Sequence, residues 1–134
     1  MGREYLQLKD ALQIEEERLS GLNMDDPEGR ETYLHASYKL RGRYADSLAR
    51  FFDVFGREQI LILGNNELLK DPRGTVTRAC DFLSLPGVPE GIDFPKKNVG
   101  EKAPVSSEVF AYLDDYFRPH NERLFQLLGR QIDW

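Results

Sequence analysis

The strongest ligand-binding candidate in these 134 residues is a short basic segment, KKNVGEK, at 96–102. Lys96, Lys97 and Lys102 place three ammonium groups around the amide of Asn98 and the backbone of Gly100. Cationic and amide donors on a pliable backbone suit a phosphate-bearing ligand. The same residues are read more simply as a solvated lysine-rich loop. Arg41 and Arg43 flank Gly42; they either add positive charge to the same pocket or face solvent. His35 either faces a cleft or lies on the surface, and His120, in RPHNER, reads as structural or exposed. No nucleophile elbow, glycine-rich phosphate loop or histidine–carboxylate set at metal spacing is visible in the sequence. The glycines are scattered singly, so none of them forms the usual phosphate cradle.

The elements that would position these groups centre on Tyr38–Leu69. Tyr44, Leu48, Phe51, Phe52 and Phe55 recur at helical spacing and predict a long amphipathic helix, starting near 31–33, with that stripe inward. Gly42 inside it marks either a close approach by a neighbour or a tolerated cost of about 1 kcal/mol. Ile60-Leu61-Ile62-Leu63 reads as a strand buried on both faces, as in a parallel sheet. Upstream, Asp10 is the expected cap of a helix to about Leu19 that ends at Gly21, with Leu8, Leu12 and Leu19 inward and Glu15, Glu16 and Glu17 solvated. Downstream, Asp71-Pro72 opens a helix with Val76, Ala79, Cys80 and Leu83 on one face, which makes Cys80 a core cysteine. Pro86 ends that helix, and a loop runs from 86 to 105. Ser106 or Ser107 caps the next helix, Pro119 restarts the chain, and a last helix from Asn121 to Leu128 stops at Gly129. Trp134 is expected to fold back on the core.

The length suits one domain able to bury a core. A hydrophobic share of 40% and a charged share of 31% are those of an ordinary globular chain. The formal net charge of −5 argues against a general binder of nucleic acid or anionic membrane, but leaves room for a local basic pocket. One cysteine builds neither a disulfide nor a zinc framework and fits a reducing compartment. No apolar run approaches the roughly 20 residues of a membrane span, and MGREYLQLKD lacks the core of a secretory signal. A cytoplasmic protein is expected.

Five segments, in order, resemble the C-terminal half of sulfotransferases that use 3′-phosphoadenosine 5′-phosphosulfate, of the bacterial and heparan-sulfate N-sulfotransferase type. ALQIEEERL (11–19) is similar to the acidic helix after the adenosine-phosphate site. RGRYADSLARFFDVF (41–55) is similar to the family's G-x-Y…L-x-x-W/F helix. REQILILGNNELLKDP (57–72) resembles its strand and turn, VTRACDFLSLP (76–86) its F-L-G-L helix, and FRPHNERLFQLLGRQIDW (117–134) its terminus. The chain departs from the pattern at Asn66 and Glu67, where E-D is usual. It departs again at Phe51, where tryptophan is common, and at Ser84, where glycine normally stops the helix.

The resemblance implies an α/β fold: the C-terminal portion of a P-loop-like sulfotransferase domain, mostly helical here, with one buried parallel-type strand. It implies a single domain over 1–134 whose phosphosulfate-binding N-terminal half lies outside the chain. The implied activity is sulfuryl transfer to a hydroxyl or amine, with 3′-phosphoadenosine 5′-phosphosulfate as co-substrate, no metal, and no activity without the missing half. Arg41, Lys96, Lys97, Asn98 and Lys102 are carried over as nucleotide-binding residues. No catalytic residue is assigned, and neither His35 nor His120 is given the family's base role. The implied partners are the nucleotide, an unidentified acceptor, and an N-terminal half in trans or a second copy; neither nucleic acid nor membrane is expected. The competing reading is a non-catalytic helical interaction module derived from the same fold.

Overall fold

The structure, a computed structural model, describes residues 7–96 and 104–132. The chain divides into two compact units, Met1–Ser47 with Val105–Leu124 and Leu48–Pro104 with Phe125–Trp134.

In the first unit the expected opening helix is two, α1 (Leu8–Gln13) and α2 (Glu15–Leu19), interrupted at Ile14. Gln7, not Asp10, occupies the N-cap. Gly21, at φ 77°, follows the α2 cap in the left-handed region, as its role of stop signal requires. Helix α3 (Pro27–Ala36) starts earlier than expected, with Pro27 at its first position.

The long central helix predicted from the stripe is broken. The Ser37 hydroxyl donates to the Tyr33 carbonyl at 2.5 Å. The carboxylate of Glu15 accepts from the amides of Lys39 (2.7 Å) and Leu40 (2.8 Å). In a continuous helix those amides would serve carbonyls four residues back. A short 3₁₀ turn, Leu40–Gly42, therefore separates α3 from α4 (Tyr44–Val54).

Gly42 marks a close approach. A Cβ there would lie 2.7 Å from Cε1 and Cζ of Phe117. Gly42→Ala is expected to cost on the order of 1–2 kcal/mol, because the ring must shift. An unchanged urea midpoint for this variant would contradict the contact.

Helix α7 (Ser107–Leu128) is capped by Ser106, whose hydroxyl accepts from the Val109 amide at 3.3 Å. It runs through Pro119, where a restart was expected. An interior proline costs about 3 kcal/mol. Packing spans the break: Tyr116 meets Phe117 edge-on at 5.0 Å and His120 at 5.2 Å across the proline. Val109 and Leu124, on either side of the proline, are both buried.

The second unit corrects the fold class. Ile60 and Gly64 are extended, but residues 60–63 form no strand, and every regular element among the described residues is helical. The expected α/β class with a buried parallel-type strand is overturned. The run is not buried either, with Leu61 exposed and Ile60, Ile62 and Leu63 half-buried, and a strand needs a hydrogen-bonded ladder. No ladder forms among the described residues; the Ile62 carbonyl instead accepts from Nη2 of Arg130 at 2.9 Å. A second 3₁₀ turn (Arg57–Gln59) precedes this segment, and α5 (Asn65–Lys70) and α6 (Pro72–Phe82) follow it.

Asp71 caps α6 as expected, accepting from the Gly74 amide at 2.9 Å. Ser84 takes φ 54° in the position where glycine is strain-free, and Leu85 N–H reaches back to Cys80 C=O at 2.8 Å. Cys80 is half-buried. The α4 stripe is not core. Tyr44 (51% exposed), Phe51 (55%) and Phe55 (46%) are open, Leu48 and Phe52 are only half-buried, and Val54 beside them is 75% exposed.

Candidate functional site

A cleft of about 640 Å³ opens in the first unit. Leu34 and His35 line it from the end of α3, Ser37 and Tyr38 from the connection, Arg41 and Gly42 from the 3₁₀ turn, and Tyr44 from the start of α4. The break between α3 and α4 therefore makes the cleft. Arg41 is exposed, and its Nη1 reaches the Leu34 carbonyl at 3.4 Å. Among the described residues it has no carboxylate partner. His35, read as facing either a cleft or the surface, lines this cleft.

Arg43 does not line it. Its guanidinium pairs with Asp46 at 2.8 Å, and Arg123 meets the other Asp46 oxygen at 2.5 Å. Desolvation acts to raise the Asp46 pKa, but the Arg43 hydrogen bond and charge, with Arg123 and His120, outweigh it and hold the pKa below the usual range.

A polar network holds the connection between α3 and α4. Glu15 is 1% exposed and Lys39 3%. The Lys39 ammonium donates to the Tyr112 hydroxyl at 2.8 Å and sits 4.6 Å from the Tyr116 ring centroid. Burial acts to lower the Lys39 pKa. The Tyr112 hydrogen bond and the fields of Tyr112, Tyr116 and Glu15 outweigh it, so the pKa rises above the ordinary lysine value. Lys39 therefore stays charged through neutral pH. Among the described residues every buried side-chain nitrogen and oxygen has a partner.

Glu15 was expected in solvent with Glu16 and Glu17. The signal against that was present: Glu15 falls on the same helical face as Leu8, Leu12 and Leu19. Lys39, Tyr112 and Arg73 carried no such signal.

In the second unit Lys96 is exposed, and Arg73 holds the loop before it. Arg73 donates to the carbonyls of Val88 (3.3 Å), Pro89 (3.1 Å) and Ile92 (3.1 Å). Its guanidinium also lies 5.7 Å from the Phe94 ring centroid. Lys97, Asn98, Gly100, Lys102 and Trp134 lie outside the described residues.

Glu67 ties this unit together. It accepts from Arg78 at 2.6 Å and Arg130 at 2.9 Å. Those hydrogen bonds, Arg78 first, lower its pKa to about 2. A carboxylate depressed in the folded state stabilises above its unfolded pKa of about 4.3 and loses that contribution as pH falls toward the folded value. The melting-temperature gap between wild type and Glu67→Gln is expected to close as pH falls from about 6 to 2. A gap that stays constant with pH would show that Glu67 is not held this way.

No group of three or more histidine, cysteine, aspartate or glutamate side chains among the described residues is placed to hold a metal ion. No described helix is long and apolar enough to cross a membrane.

Known proteins similar to this chain share one activity in their names. A membrane-associated sulfotransferase, kil1, of Dictyostelium discoideum is 31% identical over 91 residues, covering 68% of this chain and 19% of that protein. Heparan sulfate glucosamine 3-O-sulfotransferase 3B1 of Mus musculus is 28% identical over 116 residues, 69% of this chain and 30% of its own length. Heparan sulfate glucosamine 3-O-sulfotransferase 6 of Homo sapiens is 27% identical, with 69% and 34% covered. The chain thus spans about a fifth to a third of these relatives. No family model matches it, and no solved structure does.

Proposed function

The chain belongs to a sulfotransferase family, and from that premise we propose that it serves sulfuryl transfer from 3′-phosphoadenosine 5′-phosphosulfate to a hydroxyl or amine. In this reaction the acceptor atom bonds to sulfur and gives up a proton. The bond from sulfur to the phosphate oxygen breaks, and adenosine 3′,5′-bisphosphate leaves. The protein must hold donor and acceptor in line and offset negative charge.

The observation that supports a nucleotide role for this chain is the Arg41 guanidinium, exposed in a cleft beside His35, Tyr38 and Tyr44. A guanidinium can meet a phosphate with two parallel hydrogen bonds, and tyrosine rings can receive a purine. On the strength of the resemblance, Lys96, Lys97, Asn98 and Lys102 are proposed as further nucleotide contacts. Residues 1–134 are read as the C-terminal part of one sulfotransferase domain, and turnover is proposed to need the rest of that domain, in the same chain or in trans.

Arg41→Ala is expected to weaken binding of adenosine 3′,5′-bisphosphate by about 10-fold or more, since charge-assisted hydrogen bonds contribute ~1.5–3 kcal/mol and ~1.4 kcal/mol is tenfold. Unchanged affinity in a folded variant would sink the cleft as the nucleotide site. The exposed Phe51, Val54 and Phe55 favour a second reading, a non-catalytic interaction module. A folded chain without nucleotide affinity would support that second reading.

A further inference from the structure

We propose that Glu15 is the positioning residue of the Arg41 cleft: its buried carboxylate, bonded to two successive backbone amides, fixes the turn that presents the guanidinium to an anionic ligand. The proposal rests on the reading of the cleft as an anion site.

The turn itself is weak. Leu40–Gly42 is a single 3₁₀ element, closed by Gly42 N–H to Lys39 C=O at 2.9 Å and Arg43 N–H to Leu40 C=O at 3.1 Å. Such short turns have poor hydrogen-bond geometry, and their first amides have no partner within the turn. Glu15 supplies those partners, Oε2 to Lys39 and Oε1 to Leu40. Arg41 is the next residue. Its backbone is thereby held while its side chain remains exposed, so part of the ordering cost of binding is met before the ligand arrives.

The residue type is specified by the contact. Both Glu15 oxygens face donors, so the side chain must accept twice and donate nothing. A glutamine keeps the shape but points an amide N–H at a backbone N–H. A carboxylate in this position is costly without nearby positive charge. The Lys39 ammonium, held by Tyr112 and Tyr116, adds a favourable field. The network therefore runs from α7 through Lys39 and Glu15 to the Arg41 turn, all within the first unit.

The test is a double-mutant cycle read by titration with adenosine 3′,5′-bisphosphate and by thermal melting. In folded protein, Glu15→Gln is expected to weaken binding about 5- to 10-fold, and to add no further loss in the Arg41→Ala background, because residues acting through one another are not additive. Melting losses have no reason to follow that pattern, so a merely structural role is distinguished. If Arg41→Ala loses binding while folded Glu15→Gln binds like wild type, the positioning role is overturned and the cleft stands. If Arg41→Ala itself binds like wild type, the cleft reading fails and the positioning role with it. Should Glu15→Gln not fold, amide exchange in the unmodified chain decides. Saturating nucleotide is expected to slow exchange at Lys39 and Leu40, and unchanged rates at both overturn the proposal.

Discussion

Glu15→Ala is expected to lower stability by about 2–6 kcal/mol, the cost of stranding two buried backbone donors. The carboxylate is 1% exposed and accepts two backbone hydrogen bonds. Truncation leaves both amides without a partner in a site too enclosed for easy solvation, at about 1–3 kcal/mol each. It also removes the negative charge that helps hold the buried Lys39 ammonium. Domains of this size are stable by about 5–15 kcal/mol, so the loss is a large share of the whole. Glu16→Ala and Glu17→Ala are internal controls. Both side chains are exposed, and each change is expected to stay within about 0.5 kcal/mol. Urea unfolding of the three variants decides the matter. Three equal midpoints would mean that Glu15 is not the buried acceptor described here.

Gly29→Ala is the second large effect. Gly29 is buried in the first turn of α3, and a Cβ there would overlap the carbonyl oxygen of Asn23 and lie 2.9 Å from its carbonyl carbon. The obstacle is backbone, which cannot rotate away as the Phe117 ring beside Gly42 can. The Asn23 loop is also tied locally: its side chain accepts from the Asp25 amide at 3.0 Å and its carbonyl from Asp26 at 3.3 Å. Overpacking of this kind costs typically about 1–3 kcal/mol, and here the upper end is expected. The intrinsic helix preference of alanine over glycine, about 1 kcal/mol, works the other way. The sign of the measured change therefore separates the two effects. A stabilised Gly29→Ala would show that the loop does not lie against the helix.

The features legible in the sequence were those set by neighbouring residues. Gly21 and Gly129 end helices in the left-handed region, at φ 77° and 69°, and Asp71 and Ser106 cap helices through amides three residues on. What stayed hidden depended on partners far along the chain. Glu15 breaks the expected central helix from 24 residues away, so the apolar spacing of Tyr44–Phe55 could not reveal the interruption. Residues 60–63 have the composition of a buried strand, but composition does not supply a ladder, and Arg130 takes the Ile62 carbonyl instead. Pro119 reads locally as a restart, yet the aromatic packing on both sides carries the helix through.

The same division holds for the site. Arg41 stands out in the sequence by its place beside Gly42 and by the resemblance. The cleft around it exists only because α3 stops at Ala36 and the 3₁₀ turn intervenes. Arg43, named with it, is turned to Asp46. Glu15 is masked in the sequence by the two solvated glutamates that follow it, although its helical face is the apolar one.

Isothermal titration of the purified chain with adenosine 3′,5′-bisphosphate, at low and moderate salt, tests most directly the claim that this sulfotransferase-family chain carries a nucleotide site. Saturable one-to-one binding that weakens as salt rises is the predicted result, because the contacts are charge-assisted and partly exposed. A chain that melts cooperatively yet gives no saturable heat at either salt would contradict it.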